Sequence, residues 1–186
     1  DGTYNLLVGA ADMGTGDSGR TGTVGYEKIG TIEFLKDRAS GIQNKYQVLF
    51  RAPRAKVLVV DDVDMNLFVI ENLLKQTEMQ VTLTDCGDEC VHKACEEEFD
   101  LILIDHMMPG KDGMETFKDI RAKDESKNKT TPCVMLTANA FNGAREQYEG
   151  AGFAGYITKP IECEKLERTV SRLLPAEKVQ FNMDAD

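Results

Sequence analysis

The sequence predicts an α/β fold in which five parallel strands alternate with five helices over residues 55–174. Short apolar runs rich in β-branched residues recur five times, and segments with the apolar spacing of helices separate them. Runs that are apolar throughout indicate strands covered on both faces, as in a parallel sheet between two helix layers. Pro53 marks the boundary before the first strand.

The predicted strands and helices follow one another in strict alternation. The strands are KVLVV (56–60), QVTLT (80–84), LILI (101–104), CVMLT (133–137) and GYIT (155–158). The helices are predicted over residues 65–75, 88–98, 113–121, 142–151 and 163–174. Right-handed crossovers leave few topologies, and a domain of about 120 residues fits the flavodoxin-like doubly wound sheet with strand order 2-1-3-4-5.

The segments on either side of this domain differ from it in composition. Residues 1–54 are predicted to be a Gly-rich, partly helical N-terminal extension or linker, and residues 175–186 an acidic C-terminal tail. The formal net charge is −10, and the first 54 residues hold seven Lys/Arg and six Asp/Glu, so the acidic excess lies in the rest of the chain. An acidic surface repels phosphate backbones, so we expect no nucleic acid partner.

The cysteines and the hydropathy pattern predict a cytoplasmic location. The five cysteines are odd in number and the sequence shows no signal peptide, so we interpret the thiols as reduced. No apolar run approaches the roughly 20 residues that span a bilayer, so we expect no direct membrane contact. The group Cys86, Cys90, His92 and Cys95 lacks the CxxC pair of a typical zinc site. The first residue is Asp, so we expect a piece of a longer chain.

Polar side chains stand at the carboxyl ends of four of the five predicted strands. Asp61 and Asp62 follow the first strand, and Asp105 follows the third. Thr137 ends the fourth strand, and Lys159 follows the fifth. In a doubly wound sheet, ligands bind at this edge, next to the switch between the first and third strands. Three carboxylates there repel one another and need shared protons or a cation, and hard oxygen ligands favour Mg²⁺.

These groups suit the transfer of a phosphoryl group. A carboxylate on Mg²⁺ can act as a nucleophile toward phosphorus. Lys159 would neutralise charge on the transferring group, and Thr137 can donate a hydrogen bond to one of its oxygens. Positioning and charge neutralisation are most of what this reaction requires of a protein.

Four segments, VLVVDD, LILIDHMMPGKDG, MLTANA and GYITKP, resemble the signature segments of response-regulator receiver domains in order and spacing. The resemblance implies that Asp105 is the phosphoacceptor. It also implies that Asp62 and Asp105 bind Mg²⁺ directly, together with the backbone carbonyl of Met107. Asp61 would bind the metal through water.

The same resemblance assigns the groups that respond to phosphorylation. Thr137 and Lys159 would hold the phosphoryl oxygens, and Tyr156 would be the switch aromatic whose rotamer follows Thr137. Pro160 implies the cis peptide bond after Lys159 that is typical of the family. The family often has Asn where Val63 stands, but this position is not a metal ligand, so we expect an intact site.

Three further residues lie close to the phosphoacceptor in the sequence or in the family pattern. Met107 and Asn139 occupy the two variable positions that flank the phosphoryl group in receivers. Met107 is apolar and orients an attacking water poorly, so we expect slow self-dephosphorylation. His106 should point away from Asp105 along an extended chain, and we interpret it as structural.

Residues 26–54, DHMMPGKDGMET, TPCVMLTANAFNGAREQY and KPIECEKLE resemble the connector and terminal receiver of bacterial hybrid sensor histidine kinases, especially clostridial ones. This implies a partner with a phosphohistidine, either a histidine kinase or a histidine phosphotransfer domain. It also allows a homodimer through the face of the fourth helix, fifth strand and fifth helix. The D-x-G-x-G pattern at residues 12–16 resembles the nucleotide-binding box of kinase ATPase domains, so residues 1–54 also fit a remnant of an upstream kinase region. The rest of such a domain is absent, so we assign no ATP binding.

Two alternatives use a similar architecture. A Mg²⁺-dependent phosphohydrolase with an Asp nucleophile favours a second acid two residues after the nucleophile, where Met107 stands. A flavodoxin needs a phosphate-binding loop rich in Ser, Thr and Gly after the first strand. The sequence reads DDVDMN there and would repel the phosphate of FMN.

Overall fold

The computed structural model describes residues 48–138 and 143–181, and the centre of this part is a five-stranded sheet. In chain order its strands are β1 (Lys56–Val60), β2 (Gln80–Thr84), β3 (Leu101–Asp105), β4 (Cys133–Thr137) and β5 (Gly155–Thr158). Neighbouring strands are parallel and the order is β2-β1-β3-β4-β5. The predicted doubly wound topology is therefore confirmed.

Helices cover both faces of this sheet. Within the described ranges they are α1 (Asp64–Leu74), α2 (Gly87–Glu96), α3 (Gly113–Ala122), α4 (Ala144–Ala151) and α5 (Cys163–Leu173). α1 and α5 pack on one face against Val57 and Leu103, and the other three pack on the opposite face against Leu58 and Ile104. Because alternate strand residues point to opposite faces, each central strand supplies both cores, which explains the continuous apolar runs.

The helix ends differ from the predicted ones by one or two residues where the sequence pattern is weakest. α2 ends at Glu96, because Glu97 is extended and its carboxylate accepts a bond from Lys56 Nζ at 2.6 Å. The side chain of Asn128 closes this end by donating to the carbonyl of Glu97 at 2.7 Å. A run of glutamates has no apolar spacing that would fix a helix end in the sequence.

The start of α3 lies close to the end of β3. Asp112 and Glu115 form a reciprocal capping box that fixes the first turn of α3. The amide of Gly113 donates to the carbonyl of His106 at 3.1 Å. A Cβ atom at Gly113 would lie 2.3 Å from the carbonyl oxygen of Asp105, so only glycine fits. No local sequence pattern marks this glycine, although it sets the loop after Asp105.

A second sheet, here called the terminal ladder, lies where the strands of the main sheet begin. It pairs Phe50–Arg51 with Gln180–Phe181 in antiparallel fashion. Phe50 is fully buried in the core under α1 and α5, and Glu167 of α5 accepts a bond from the amide of Leu49 at 2.9 Å. The packed core therefore extends beyond residues 55–174 at both ends of this range, because apolar side chains of the two flanking segments complete it.

Several sequence predictions concern residues outside the described ranges. The D-x-G-x-G pattern at residues 12–16, Asn139, the start of the fourth predicted helix at residue 142 and the end of the acidic tail at residues 182–186 all belong to this group. These stay predictions. Among the residues that the structure describes, no helix is long and apolar enough to cross a membrane.

Candidate functional site

Three carboxylates and one ammonium group meet at the carboxyl edge of the main sheet. Asp61 follows β1 and Asp105 ends β3, and both are buried, whereas Asp62 is exposed. One oxygen from each carboxylate lies within 4.8 Å of the other two. Lys159, directly after β5, places Nζ 2.6 Å from Asp61 Oδ2 and 2.7 Å from Asp105 Oδ1. The topology thus brings four of the predicted site residues together.

The carboxylate of Asp61 is held on both of its oxygens. The backbone amide of Val63 and the side-chain amide of Asn66 donate to Oδ1 at 3.0 and 2.8 Å, and Lys159 donates to Oδ2. The valine at position 63 does not weaken this anchor, because only the backbone of that residue is used. Asn66 is not among the predicted site residues, although it lies in the first turn of α1, close to the acid pair.

The electrostatics of the site follow from burial and from these contacts. Burial raises the pKa of Asp105; Lys159 opposes this rise, and the charges of Asp61 and Asp62 add to it. Burial disfavours the charged form of Lys159, but its bonds to Asp105 and Asp61 prevail and leave its pKa raised. Clustered carboxylate oxygens are the hard donors that Mg²⁺ prefers, so the donor set fits the predicted metal.

Backbone contacts of the loop after β5 hold Lys159 in position. The Lys159–Pro160 peptide bond is cis, as the resemblance implied. The amide of Lys159 donates to the carbonyl of Thr137 at 2.7 Å, which joins the ends of β4 and β5. Thr137 is buried and pairs in register with Thr158. The predicted threonine and lysine are therefore neighbours at the edge of the sheet that carries the carboxylates.

A polar and aromatic cluster lies next to Thr137. Tyr148 of α4 is fully buried; its hydroxyl lies 3.0 Å from His106 Nδ1 and 3.3 Å from Thr137 Oγ1. The predicted switch residue Tyr156 is partly buried, and its ring centroid lies 5.7 Å from that of Tyr148. Tyr148 is not among the predicted site residues, although a tyrosine on the apolar side of a helix indicates a buried partner for its hydroxyl.

An exposed apolar surface, here called the α1 patch, borders the acidic cluster. It consists of Val63, Met65, Phe68 and Val69 at the start of α1, together with Met107 after β3. The side chain of Met107 is 72% exposed and that of Phe68 60%. Five exposed large apolar residues so close to the acidic cluster in the sequence indicate an interaction site.

Residues 57–171 match the family model described as response regulator receiver domain. The chain belongs to this family. A curated relative, the signal transduction histidine-protein kinase BarA of Escherichia coli, is 38% identical over 119 residues, which are 64% of this chain and 13% of BarA. The transcriptional regulatory protein ResD of Bacillus subtilis is also 38% identical over 119 residues, which are 48% of ResD. The chain therefore spans about an eighth of one relative and half of the other.

A solved receiver has the same fold. The receiver domain of a sensor histidine kinase from Pseudomonas aeruginosa is 34% identical, with a TM-score of 0.58, over 64% of this chain and 96% of that chain. That structure is described with a magnesium ion coordinated in the active site cleft. Membership of the receiver family argues against the phosphohydrolase alternative. Met107 also stands where that class of enzyme places its second acid.

Proposed function

We propose that this receiver is the phosphoacceptor of a phosphorelay and that Asp105 takes the phosphoryl group from a phosphohistidine. The observation that carries the proposal is the meeting of Asp105 with Asp61, Asp62 and Lys159 at one edge of the sheet. This group contains a nucleophile, metal ligands and a cation, which are the parts that phosphoryl transfer requires.

Each acidic residue has its own role in this proposal. Asp62, Asp105 and the backbone carbonyl of Met107 would bind Mg²⁺ directly, and Asp61 would bind it through water. When bound, Mg²⁺ supplies positive charge to the phosphoryl oxygens. An oxygen of Asp105 forms the new bond to phosphorus while the bond from phosphorus to the imidazole nitrogen of the donor breaks.

Lys159 and Thr137 would hold the phosphoryl group after transfer. Lys159 Nζ lies 2.7 Å from Asp105 Oδ1, so a small movement lets it follow an oxygen of the new group. The Thr137 hydroxyl would donate to another oxygen, and Tyr156 would follow Thr137 as the switch. The face of α4, β5 and α5 would then change its affinity for a partner, including a second copy of the chain.

Acetyl phosphate with Mg²⁺ tests the phosphoacceptor directly. Intact-mass measurement should show one added phosphoryl group on the wild-type chain, and none with Asp105→Asn or in EDTA. Asp124→Asn is the matched control, since the side chain of Asp124 is fully exposed, and it should be labelled like the wild type. Release of free phosphate without an adduct, dependent on Asp105, would indicate a hydrolase instead.

The phosphoryl group should be long-lived once formed. Met107 has no polar group that could orient a water molecule for attack on phosphorus, and its side chain is largely exposed. The decay of the mass adduct after removal of acetyl phosphate measures the lifetime. A half-life of seconds would contradict this expectation.

We also propose that the parent protein is a cytoplasmic or membrane-bound hybrid sensor histidine kinase whose receiver lies in the cytoplasm. The similarity to BarA supports this context, whereas the equal identity to ResD fits a transcriptional regulator. The partner is then a histidine kinase or a histidine phosphotransfer domain. Transfer assays with both classes of donor distinguish the two, because the faster donor is the physiological class.

The α1 patch is the surface that a protein donor would cover. It begins at Val63, directly after Asp62, and Met107 extends it beside Asp105. A donor histidine must bring its imidazole to Asp105, so the protein around that histidine must contact the surroundings of the site. Exposed apolar side chains in these positions would be buried by such a contact.

A pair of matched substitutions tests this docking surface. Phe68→Asp should lower transfer from a phosphorylated histidine phosphotransfer domain by about tenfold or more and leave labelling by acetyl phosphate unchanged. Phe181→Asp is the control, because Phe181 is equally exposed (65%, against 60% for Phe68) but lies in the terminal ladder. An equal loss with both donors in Phe68→Asp would mean that the substitution damages the site itself.

A further inference from the structure

We propose that Tyr148 is a positioning residue for phosphorylation, the middle member of a hydrogen-bond chain that directs the Thr137 hydroxyl toward the phosphoryl group. The chain runs from His106 through Tyr148 to Thr137. The inference rests on the proposed function, because it concerns the threonine that would hold a phosphoryl oxygen. It adds two residues, His106 and Tyr148, to the groups that determine how well the site works.

The geometry places one hydroxyl between two polar partners. Tyr148 is fully buried, with its oxygen 3.0 Å from His106 Nδ1 and 3.3 Å from Thr137 Oγ1. His106 directly follows Asp105 at the end of β3, and Thr137 ends β4, so the tyrosine of α4 joins the ends of two adjacent strands. The His106 ring also meets the Tyr148 ring edge to face, with centroids 5.7 Å apart.

If both contacts are hydrogen bonds, proton counting leaves two arrangements for this chain. A tyrosine hydroxyl carries one proton and donates one hydrogen bond. If Tyr148 donates to Thr137, then His106 must carry a proton on Nδ1 and donate to Tyr148, and the proton of Thr137 can be directed elsewhere. In the reverse arrangement Thr137 donates to Tyr148, Tyr148 donates to an unprotonated Nδ1, and the threonine proton is used up.

A phosphoryl group on Asp105 selects the first arrangement. Phosphoryl oxygens only accept hydrogen bonds, so Thr137 must donate to them. Every donor in the chain then points toward the phosphoryl group, and each bond polarises the next. Tyr148 therefore supports the Thr137 hydroxyl as a donor, and this arrangement requires a His106 ring with its hydrogen on Nδ1.

The apolar surroundings of Tyr148 favour hydrogen bonds from its hydroxyl to His106 and Thr137. Tyr148 packs in the core with Ala144 and Phe153, which offer no side-chain hydrogen-bonding group. Without His106 and Thr137 its hydroxyl would be buried among apolar groups, which costs free energy. The ring of Tyr156 lies 5.7 Å away by centroid, so the same tyrosine also touches the predicted switch residue.

Phosphorylation rates with acetyl phosphate and Mg²⁺ test the chain. Tyr148→Phe removes only the hydroxyl and should lower the rate about three- to tenfold. In a Thr137→Val background the same substitution should have no further effect on the rate, because the hydroxyl through which Tyr148 acts is absent. Thr116→Val is the control: it deletes a buried hydroxyl of α3, which donates to the Asp112 carbonyl at 2.8 Å, and should leave the rate unchanged.

Two results of the rate experiment would overturn the inference. One is a Tyr148→Phe rate equal to that of the wild type. The other is an equal fall in the wild-type and Thr137→Val backgrounds, which would mean that Tyr148 is only structural. Failure of the proposed function looks different, because the wild type itself would then gain no phosphoryl group that depends on Asp105.

Nitrogen NMR of the imidazole provides a second readout that does not depend on rates. Only two histidines occur in the chain, so His92→Gln leaves the signals of His106 alone. With Mg²⁺ and beryllofluoride as a stand-in for the phosphoryl group, Nδ1 of His106 should carry a ring hydrogen and should lose its hydrogen bond in Tyr148→Phe. An unprotonated Nδ1 in the loaded wild type would overturn the proposed direction of the chain.

Discussion

Replacing Lys159 with methionine should destabilise the metal-free protein much more than the protein in Mg²⁺. Lys159 Nζ contacts Asp61 and Asp105 at 2.6 and 2.7 Å, and its side chain is 21% exposed. Removing one partner of a buried ion pair costs about 3–5 kcal/mol. Partial exposure screens these charges, so we expect a loss of about 2–3 kcal/mol in EDTA.

The repulsion that remains gives an independent check on this magnitude. In Lys159→Met, oxygens of Asp61, Asp62 and Asp105 still lie within 4.8 Å of one another, with no cation between them. Two charges at that separation repel by about 1 kcal/mol in water and about 3.5 kcal/mol at an effective dielectric constant of 20. Mg²⁺ would provide the missing positive charge, so the loss should shrink to about 1 kcal/mol at saturating metal.

Urea denaturation at pH 7, with EDTA and with Mg²⁺, measures both values. Lys165→Met is the matched control, because Lys165 Nζ bonds to the hydroxyl of Thr158 and to no carboxylate of the site. It should change stability by less than about 0.5 kcal/mol under either condition. An equal loss for Lys159→Met in EDTA and in Mg²⁺ would refute the idea that this lysine substitutes for the metal charge.

Two further predictions concern buried carboxylates. In EDTA, Asp105→Asn should stabilise the protein at pH 7. The folded pKa of Asp105 is raised, so the contribution of its carboxyl group to the free energy of unfolding falls as the pH rises through that pKa. The stability advantage of asparagine should therefore vanish below about pH 4. Urea denaturation midpoints measured across this pH range test the prediction. Glu167→Ala should cost about 2 kcal/mol and speed amide exchange at Leu49, while Glu167→Gln, which keeps an acceptor, should cost less; equal costs would contradict this role.

The regular elements and the reacting groups could be predicted because both depend on local patterns combined with topology. LILI is apolar at every position because β3 is buried on both faces. Once Asp61 and Asp105 are assigned to the ends of adjacent parallel strands, the sheet makes them neighbours. Lys159 follows the fifth strand at the same edge of the sheet, so the topology also predicts its approach to the carboxylates.

Contacts that depend on where a distant segment passes could not be predicted. Glu167 lies in a charged helix sequence that indicates solvent exposure, yet it is fully buried because the backbone at Leu49 crosses it. Gly113 and Tyr148 are similar cases. Glycine is required at position 113 because the backbone of Asp105 lies against it. The Tyr148 hydroxyl has its polar partners, His106 and Thr137, at the ends of two strands. None of these contacts follows from a local sequence pattern, and the partner of Glu167 lies 118 residues away.

The terminal ladder has a consequence for anyone who moves this domain into another protein. Because Phe50–Arg51 and Gln180–Phe181 run side by side, both splice points of a graft would fall at one spot, and a surface loop of a host could carry the whole insert. A graft trimmed to residues 57–171 would discard the fully buried Phe50 and Ala52 and open the core beneath α5. The transplantable module is residues 48–181.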